Sequence, residues 1–164
     1  MDDDGTRRRL IGMLRSAYSG ELAAGLAYRA HWKSLSNAGE RAAVARIEAD
    51  EWTHRREVGV LLAALGAKPV RPRELLMRLV GCCVGVSCRL GNRILPMYFA
   101  GKLEHSNIGE YEAGAEYARQ LRLPEYVRAL LEMADAERRH EEFFLRAVAA
   151  HPWLPVLKRL FSWG

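Results

Sequence analysis

Glu51-Trp52-Thr53-His54 and Glu137-Arg138-Arg139-His140 hold the same spacing twice in one chain. Each Glu-x-x-His follows a lone glutamate at similar range: Glu21 lies 30 residues before Glu51, and Glu104 lies 33 residues before Glu137. On a helix, residues three apart are neighbours one turn on, so each motif presents a carboxylate and an imidazole on one face. Composition alone yields about half a Glu-x-x-His match in a chain of this make-up. One copy carries little; two, each with its own upstream glutamate, carry a great deal.

The surrounding residues recur at the helical period. From about 7 to 36, Leu10, Ile11, Leu14, Tyr18, Glu21, Leu22, Gly25, Tyr28 and Trp32 fall on one stripe, which places Glu21 among apolar side chains. A carboxylate there is costly unless it is paired or binds a cation. Asn37 is a candidate cap for a second helix, about 39 to 65, with Val44, Ile47, Glu51, His54, Val58 and Leu61 on one face; Gly66 and Pro69 stop it. A further helix, about 94 to 120, turns Leu103, Glu104, Ile108, Tyr111 and Ala115 inward. The last long helix opens at Pro124, a favoured first-turn residue, carries Leu130, Ala134, Glu137, His140 and Phe144, and ends by Pro152.

Four helices, two giving a glutamate and two giving Glu-x-x-His, supply the ligands of a di-iron or di-manganese carboxylate centre in a ferritin-like bundle. The expected fold is therefore all-α: a single ferritin-like domain over residues 1–164. It has a long crossover at about 67–93 containing an amphipathic helix, and a short helix in a C-terminal tail at about 152–164. The null is two solvated faces on which Glu and His fall one turn apart. The similar layout of the two halves reads as an internal pseudo-repeat.

Composition narrows the remaining classes. The chain has 164 residues, 49% apolar, and a net charge of +5. No nucleic-acid motif accompanies the charge, and the arginines are spread over many faces, so no nucleic-acid partner is expected. No run is apolar and long enough to span a bilayer, and no secretory signal follows the N-terminal arginines. Cys82, Cys83 and Cys88 lack a second ligand pair for zinc and read as buried or lipid-facing thiols in a reducing cytoplasm. The crossover sets Leu75, Leu76, Leu79, Val80 and Val84 among Arg73, Arg78, Arg89 and Arg93. That pattern suits a helix in a membrane interface or one packed on protein. The tail, with Trp153, Leu157, Leu160, Phe161 and Trp163 beside Lys158 and Arg159, has the same two readings.

Taken together, these segments resemble the demethoxyubiquinone hydroxylases, membrane-associated ferritin-like di-iron monooxygenases of ubiquinone biosynthesis. The matching stretches are Ala17-Tyr-Ser-Gly-Glu21, Glu51-Trp-Thr-His54, Val70-Arg-Pro-Arg-Glu-Leu75, Glu104 with Tyr111 seven residues on, and Glu137-Arg-Arg-His140, within roughly residues 8 to 147. The chain departs from the family pattern at Glu110, where a histidine is usual, in Cys82 to Pro96, and in its Trp-rich tail. The resemblance implies two iron ions, with manganese the alternative, held by Glu21, Glu51, His54, Glu104, Glu137 and His140. It casts Glu51 and Glu137 as bridges and Glu21 and Glu104 as terminal ligands. Glu48, Glu110 and Tyr111 are candidates for the surrounding shell, although Glu48 reads first as a solvated ion-pair partner. The implied activity is O2-dependent hydroxylation of a lipophilic quinone-like substrate. It would be fed by NADH or a reductase, in a cytoplasmic protein peripheral on the inner face of the membrane. A homo-oligomer is compatible with the bundle faces. The alternative is a ferroxidase or peroxidase that handles iron or peroxide without an organic substrate.

Overall fold

The computed structural model describes residues 3–90 and 93–164, and the described residues form an all-helical bundle without strands. The long helices are α1 (Asp3–Ser34), α2 (Ala38–Ala64), α4 (Ile94–Gln120) and α5 (Pro124–Val148). Between them run α3 (Arg71–Leu90) and, at the end, α6 (Leu154–Phe161). The chain pairs α1 with α2 and α4 with α5, sets α1 beside α4, and leaves a much slighter contact between α2 and α5. α3 lies on α1.

Local chemistry explains the corners. The Asn37 side chain accepts a hydrogen bond from the Glu40 amide at 3.0 Å, capping α2. At the far end, Ala67 N–H reaches Leu62 O and Gly66 N–H reaches Ala63 O, both at 2.9 Å, with Gly66 at φ +66°. That is the paired-bond termination that favours glycine in the left-handed region. α4 ends the same way, with Leu123 N–H on Ala118 O, but Arg122 occupies the left-handed position at φ 58°. Pro124 stands in the first turn of α5.

Two apolar layers lie on either side of the level of Glu51 and Glu137. One contains Leu10, Leu14, Val58, Leu62, Tyr111, Leu130 and Met133. The other contains Tyr28, Val44, Ile47, Met97, Tyr98, Phe144, Val148, Leu157 and Trp163. The tail is thus partly core: Tyr98 O–H donates to Trp163 O at 2.7 Å, and the Trp163 indole N–H donates to Glu141 at 2.8 Å. A methyl on Gly101 would collide with the Trp163 ring. Trp153, Val156 and Leu160 remain exposed. Leu103, expected inward, is 44% exposed. Its neighbour Glu104 takes the inward direction, and adjacent helical positions diverge by about 100°.

α3 buries only Gly81, Gly85 and Cys88. Its backbone approaches α1 so closely that a Cβ at Gly81 would lie 2.6 Å from Ala23 O, and one at Gly85 2.8 Å from Ala30 Cβ. Polar bonds fix its first turns: Ser19 donates to Glu74 at 2.6 Å, Arg55 pairs with Glu74, and Arg73 donates to Ser16 at 2.7 Å. The remaining surface carries exposed Leu75, Leu76, Leu79, Val80, Val84, Val86 and Leu90. Cys82 and Cys83 are exposed and Cys88 is buried, all three as free thiols. Among the described residues, no helix is long and apolar enough to cross a membrane.

Candidate metal centre

The helical register brings the six sequence-read ligands to one level of the bundle: Glu21 from α1, Glu51 and His54 from α2, Glu104 from α4, Glu137 and His140 from α5. All six are buried, Glu51, Glu104 and Glu137 completely. They form two overlapping sets. Glu21, Glu51, His54 and Glu137 offer ligand atoms within 4.8 Å of one another, and so do Glu51, Glu104, Glu137 and His140. Glu51 and Glu137 belong to both sets, whereas Glu21 and Glu104 each belong to one.

Buried polar atoms are normally hydrogen-bonded. Here both oxygens of Glu51, both of Glu137, Oε2 of Glu21, Oε2 of Glu104 and Nδ1 of both histidines lack a hydrogen-bond partner. His54 Nδ1 lies 3.0 Å from Glu137 Oε1, and His140 Nδ1 lies 3.5 Å from Glu51 Oε1 and 3.9 Å from Glu104 Oε2. The lone pairs converge on one another rather than on donors. Four carboxylates match the charge of two divalent cations, and oxygen with imidazole donors suits first-row metals. The residues therefore fit a metal centre.

Without cations, protons must do the neutralising. Burial pushes Glu51 and Glu104 well above the carboxylate range, and neighbouring carboxylates add to it; burial also raises Glu21. Burial acts on Glu137 too, but the Glu104 carboxyl and the His140 and His54 imidazoles close beside it outweigh burial and hold this group well below the usual range. Burial alone would lower His140, yet Glu104 and Glu137 push it up to about 10, and His54 is raised against burial by Glu137 and Glu21. Such divergent shifts in one small space are typical of functional sites.

Around the ligands, Tyr28 donates to Glu104 and Tyr111 donates to Glu21. Burial and these carboxylates raise both phenols well above their ordinary value, so they remain donors. Asp50 Oδ2 lies 3.0 Å from Nε2 of His140. The sequence reading missed Asp50. Its only local signal is adjacency to Glu51, and its partner is 90 residues away.

Tyr111 thus touches a ligand, whereas Glu48 and Glu110 do not. Glu48 is buried, not solvated, and is held by Arg29 at 2.7 Å, the Trp32 indole at 2.7 Å and the Trp52 indole at 3.0 Å. Burial opposes its ionisation, but these three donors prevail and lower it. Glu110 is half-buried beside Ser16 and Arg73. Of the other histidines, His105 sits in the open with Glu141 at 2.9 Å, His151 accepts from the Trp153 amide, and His31 is buried.

No family model, no curated protein and no solved structure matches the chain significantly.

Proposed function

We propose that the chain is a ferritin-like di-iron oxidoreductase that hydroxylates a lipophilic quinone-like substrate at a membrane surface, using O2 and electrons from NADH or a reductase. The observation that carries the reading is the pair of overlapping ligand sets that share Glu51 and Glu137. Two glutamates and two Glu-x-x-His pairs from four helices, with a long link between α2 and α4, suit the ferritin-like arrangement. The exposed Leu and Val surface of α3 supports work beside lipid, because a face of this kind calls for apolar company.

Iron bound by Glu21, Glu51, His54, Glu104, Glu137 and His140, with manganese the alternative, would supply the reduction of O2 and the oxidation of a ring C–H. The protein's own part is positional. Glu51 and Glu137 would be shared between the two ions, and His54 and His140 would each serve one. Tyr28 and Tyr111 keep one oxygen of Glu104 and of Glu21 occupied, which directs the other oxygen inward. The apolar layers on either side exclude water.

A second reading, a ferroxidase or peroxidase, draws support from one observation. A cavity of about 210 Å³ beside His54 is lined by Asp50, Glu57 and Glu132, groups that favour a hydrated cation over a ring. One experiment separates the two. The protein is loaded anaerobically with Fe(II), given a short-chain demethoxyquinone and NADH, and exposed to O2. A product heavier by one oxygen is the expected result. Iron that is bound and oxidised while the quinone stays unchanged would transfer the assignment to the ferroxidase reading.

A further inference from the structure

The two halves of the centre are built alike but finished differently. Glu21, Tyr28, Glu51 and His54 correspond to Glu104, Tyr111, Glu137 and His140, and each tyrosine lies seven residues after its glutamate. The correspondence fails one residue before each Glu-x-x-His: Asp50 precedes Glu51, but Ala136 precedes Glu137. Asp50 reaches across to the opposite half and holds His140 Nε2 at 3.0 Å. At the matching place against His54 there is a methyl group. His54 turns Nδ1 toward Glu137, so Nε2 is its outer nitrogen, and no described residue accepts from it. His54 lines the 210 Å³ cavity, together with Asp50, Glu57, Glu132, Ala136 and Arg139.

A metal-binding imidazole usually gives its other N–H to a carboxylate or carbonyl. This partner fixes tautomer and ring orientation and raises ligand basicity. His140 has such a partner and His54 has none. Water in the cavity can also compete for His54.

We infer that the two ion positions are unequal: the one on His140 fills first and holds tightly, the one on His54 is the weaker and exchanges through the cavity, and Asp50 sets the difference. This rests on the metal-centre reading and adds a hierarchy to it. Asp50 acts through His140 and is a positioning residue. Its side chain is 54% exposed, so its removal leaves no hole in the core.

The test is an anaerobic titration of the metal-free full chain with Co(II), followed by calorimetry and by the visible absorption of the bound ion. The expected wild-type result is two steps of one ion each, with dissociation constants about 10–100-fold apart. Asp50→Ala should merge the steps by weakening the first, and Asp50→Asn, which retains an acceptor oxygen, should restore part of the gap. Ala136→Asp should narrow the gap from the other side by tightening the second step. Far-UV circular dichroism establishes that each variant is folded. Two equal steps in the wild type, or an unchanged gap in Asp50→Ala, would overturn the inference while leaving the dimetal centre standing. Folded wild-type protein that binds no Co(II) would overturn the centre itself, and this inference with it.

Discussion

The level of Glu51 and Glu137 and the outer face of α3 reverse the usual placement of polarity. The first sets four carboxylates and two imidazoles in the interior, where charge is costly. The second sets seven leucines and valines in the open, on a helix that packs on α1 through Gly81, Gly85 and Cys88 and is tied down by polar bonds at its start. Neither arrangement is completed by the described chain. Six of the eight oxygens of the four carboxylates lack donors, and the exposed side chains lack cover. The difference teaches which kind of company each region calls for: cations within, apolar matter without.

The interior half of this comparison breaks most visibly. Saturating divalent metal at about a thousandfold excess over Kd stabilises a binding site by about 4 kcal/mol. Glu51→Leu should abolish that gain in thermal or denaturant melts, because Glu51 serves both sets. The same variant without metal should be more stable than wild type by about 1–4 kcal/mol, since it removes a buried, unpaired carboxylate. A metal-free variant less stable than wild type would mean that Glu51 is paired after all.

His31 offers a control: a buried titratable group with an unpartnered Nε2 that belongs to neither ligand set. Burial, opposed by Glu40 and reinforced by Arg93, lowers it from 6.5 to about 4. Between those values the unfolded chain binds the extra proton and the folded chain does not. Stability is therefore full above pH 6.5 and lost as pH falls toward 4, by about 3 kcal/mol. Denaturant unfolding across this window should show His31→Gln losing that much less than wild type. Parallel curves would place the proton elsewhere.

Gly81→Ala probes the attachment of the apolar helix. Its new methyl would meet the Ala23 backbone, which cannot step aside as a flexible side chain can. Overpacking of this kind costs about 1–3 kcal/mol. The loss should appear as faster amide exchange in α3 and the facing part of α1, with metal binding retained. The smallest stability change belongs to Leu76→Gln, Leu79→Gln and Val86→Gln combined. Each exposed site should shift stability by less than about 0.5 kcal/mol, whereas sedimentation with anionic vesicles should fall sharply. Undiminished vesicle binding would remove the lipid-facing role of α3, and a large loss of stability would show that the face is covered by protein.

The sequence made the long helices legible because apolar residues repeat at the helical period and because Asn37, Gly66 and Pro124 punctuate them. It made the six ligands legible because carboxylates on an apolar stripe demand a reason. What it hid depends on distance and direction. The bond from Asp50 to His140 spans 90 residues, so an exposed aspartate resembles any other. Glu48 read as solvated because its donors Trp32 and Trp52 count as apolar residues until their indole N–H groups converge on it. Leu103 sits beside Glu104, and an approximate period assigned both to one face. α3 was ambiguous for a plainer reason: glycines leave no mark in an apolar pattern, yet Gly81 and Gly85 are what brings this helix against α1.

The crossed tyrosines have one more consequence. Tyr28 of the first helical pair steadies Glu104 of the second, and Tyr111 of the second steadies Glu21 of the first. Each ligand set likewise draws on both pairs. Neither half of the chain thus holds a complete ligand set. A metal held there would also fasten the two halves across the seam where α2 and α5 make only slight contact. Two identical half-length chains, each with one glutamate, one tyrosine and one Glu-x-x-His, could assemble the same centre about a twofold axis.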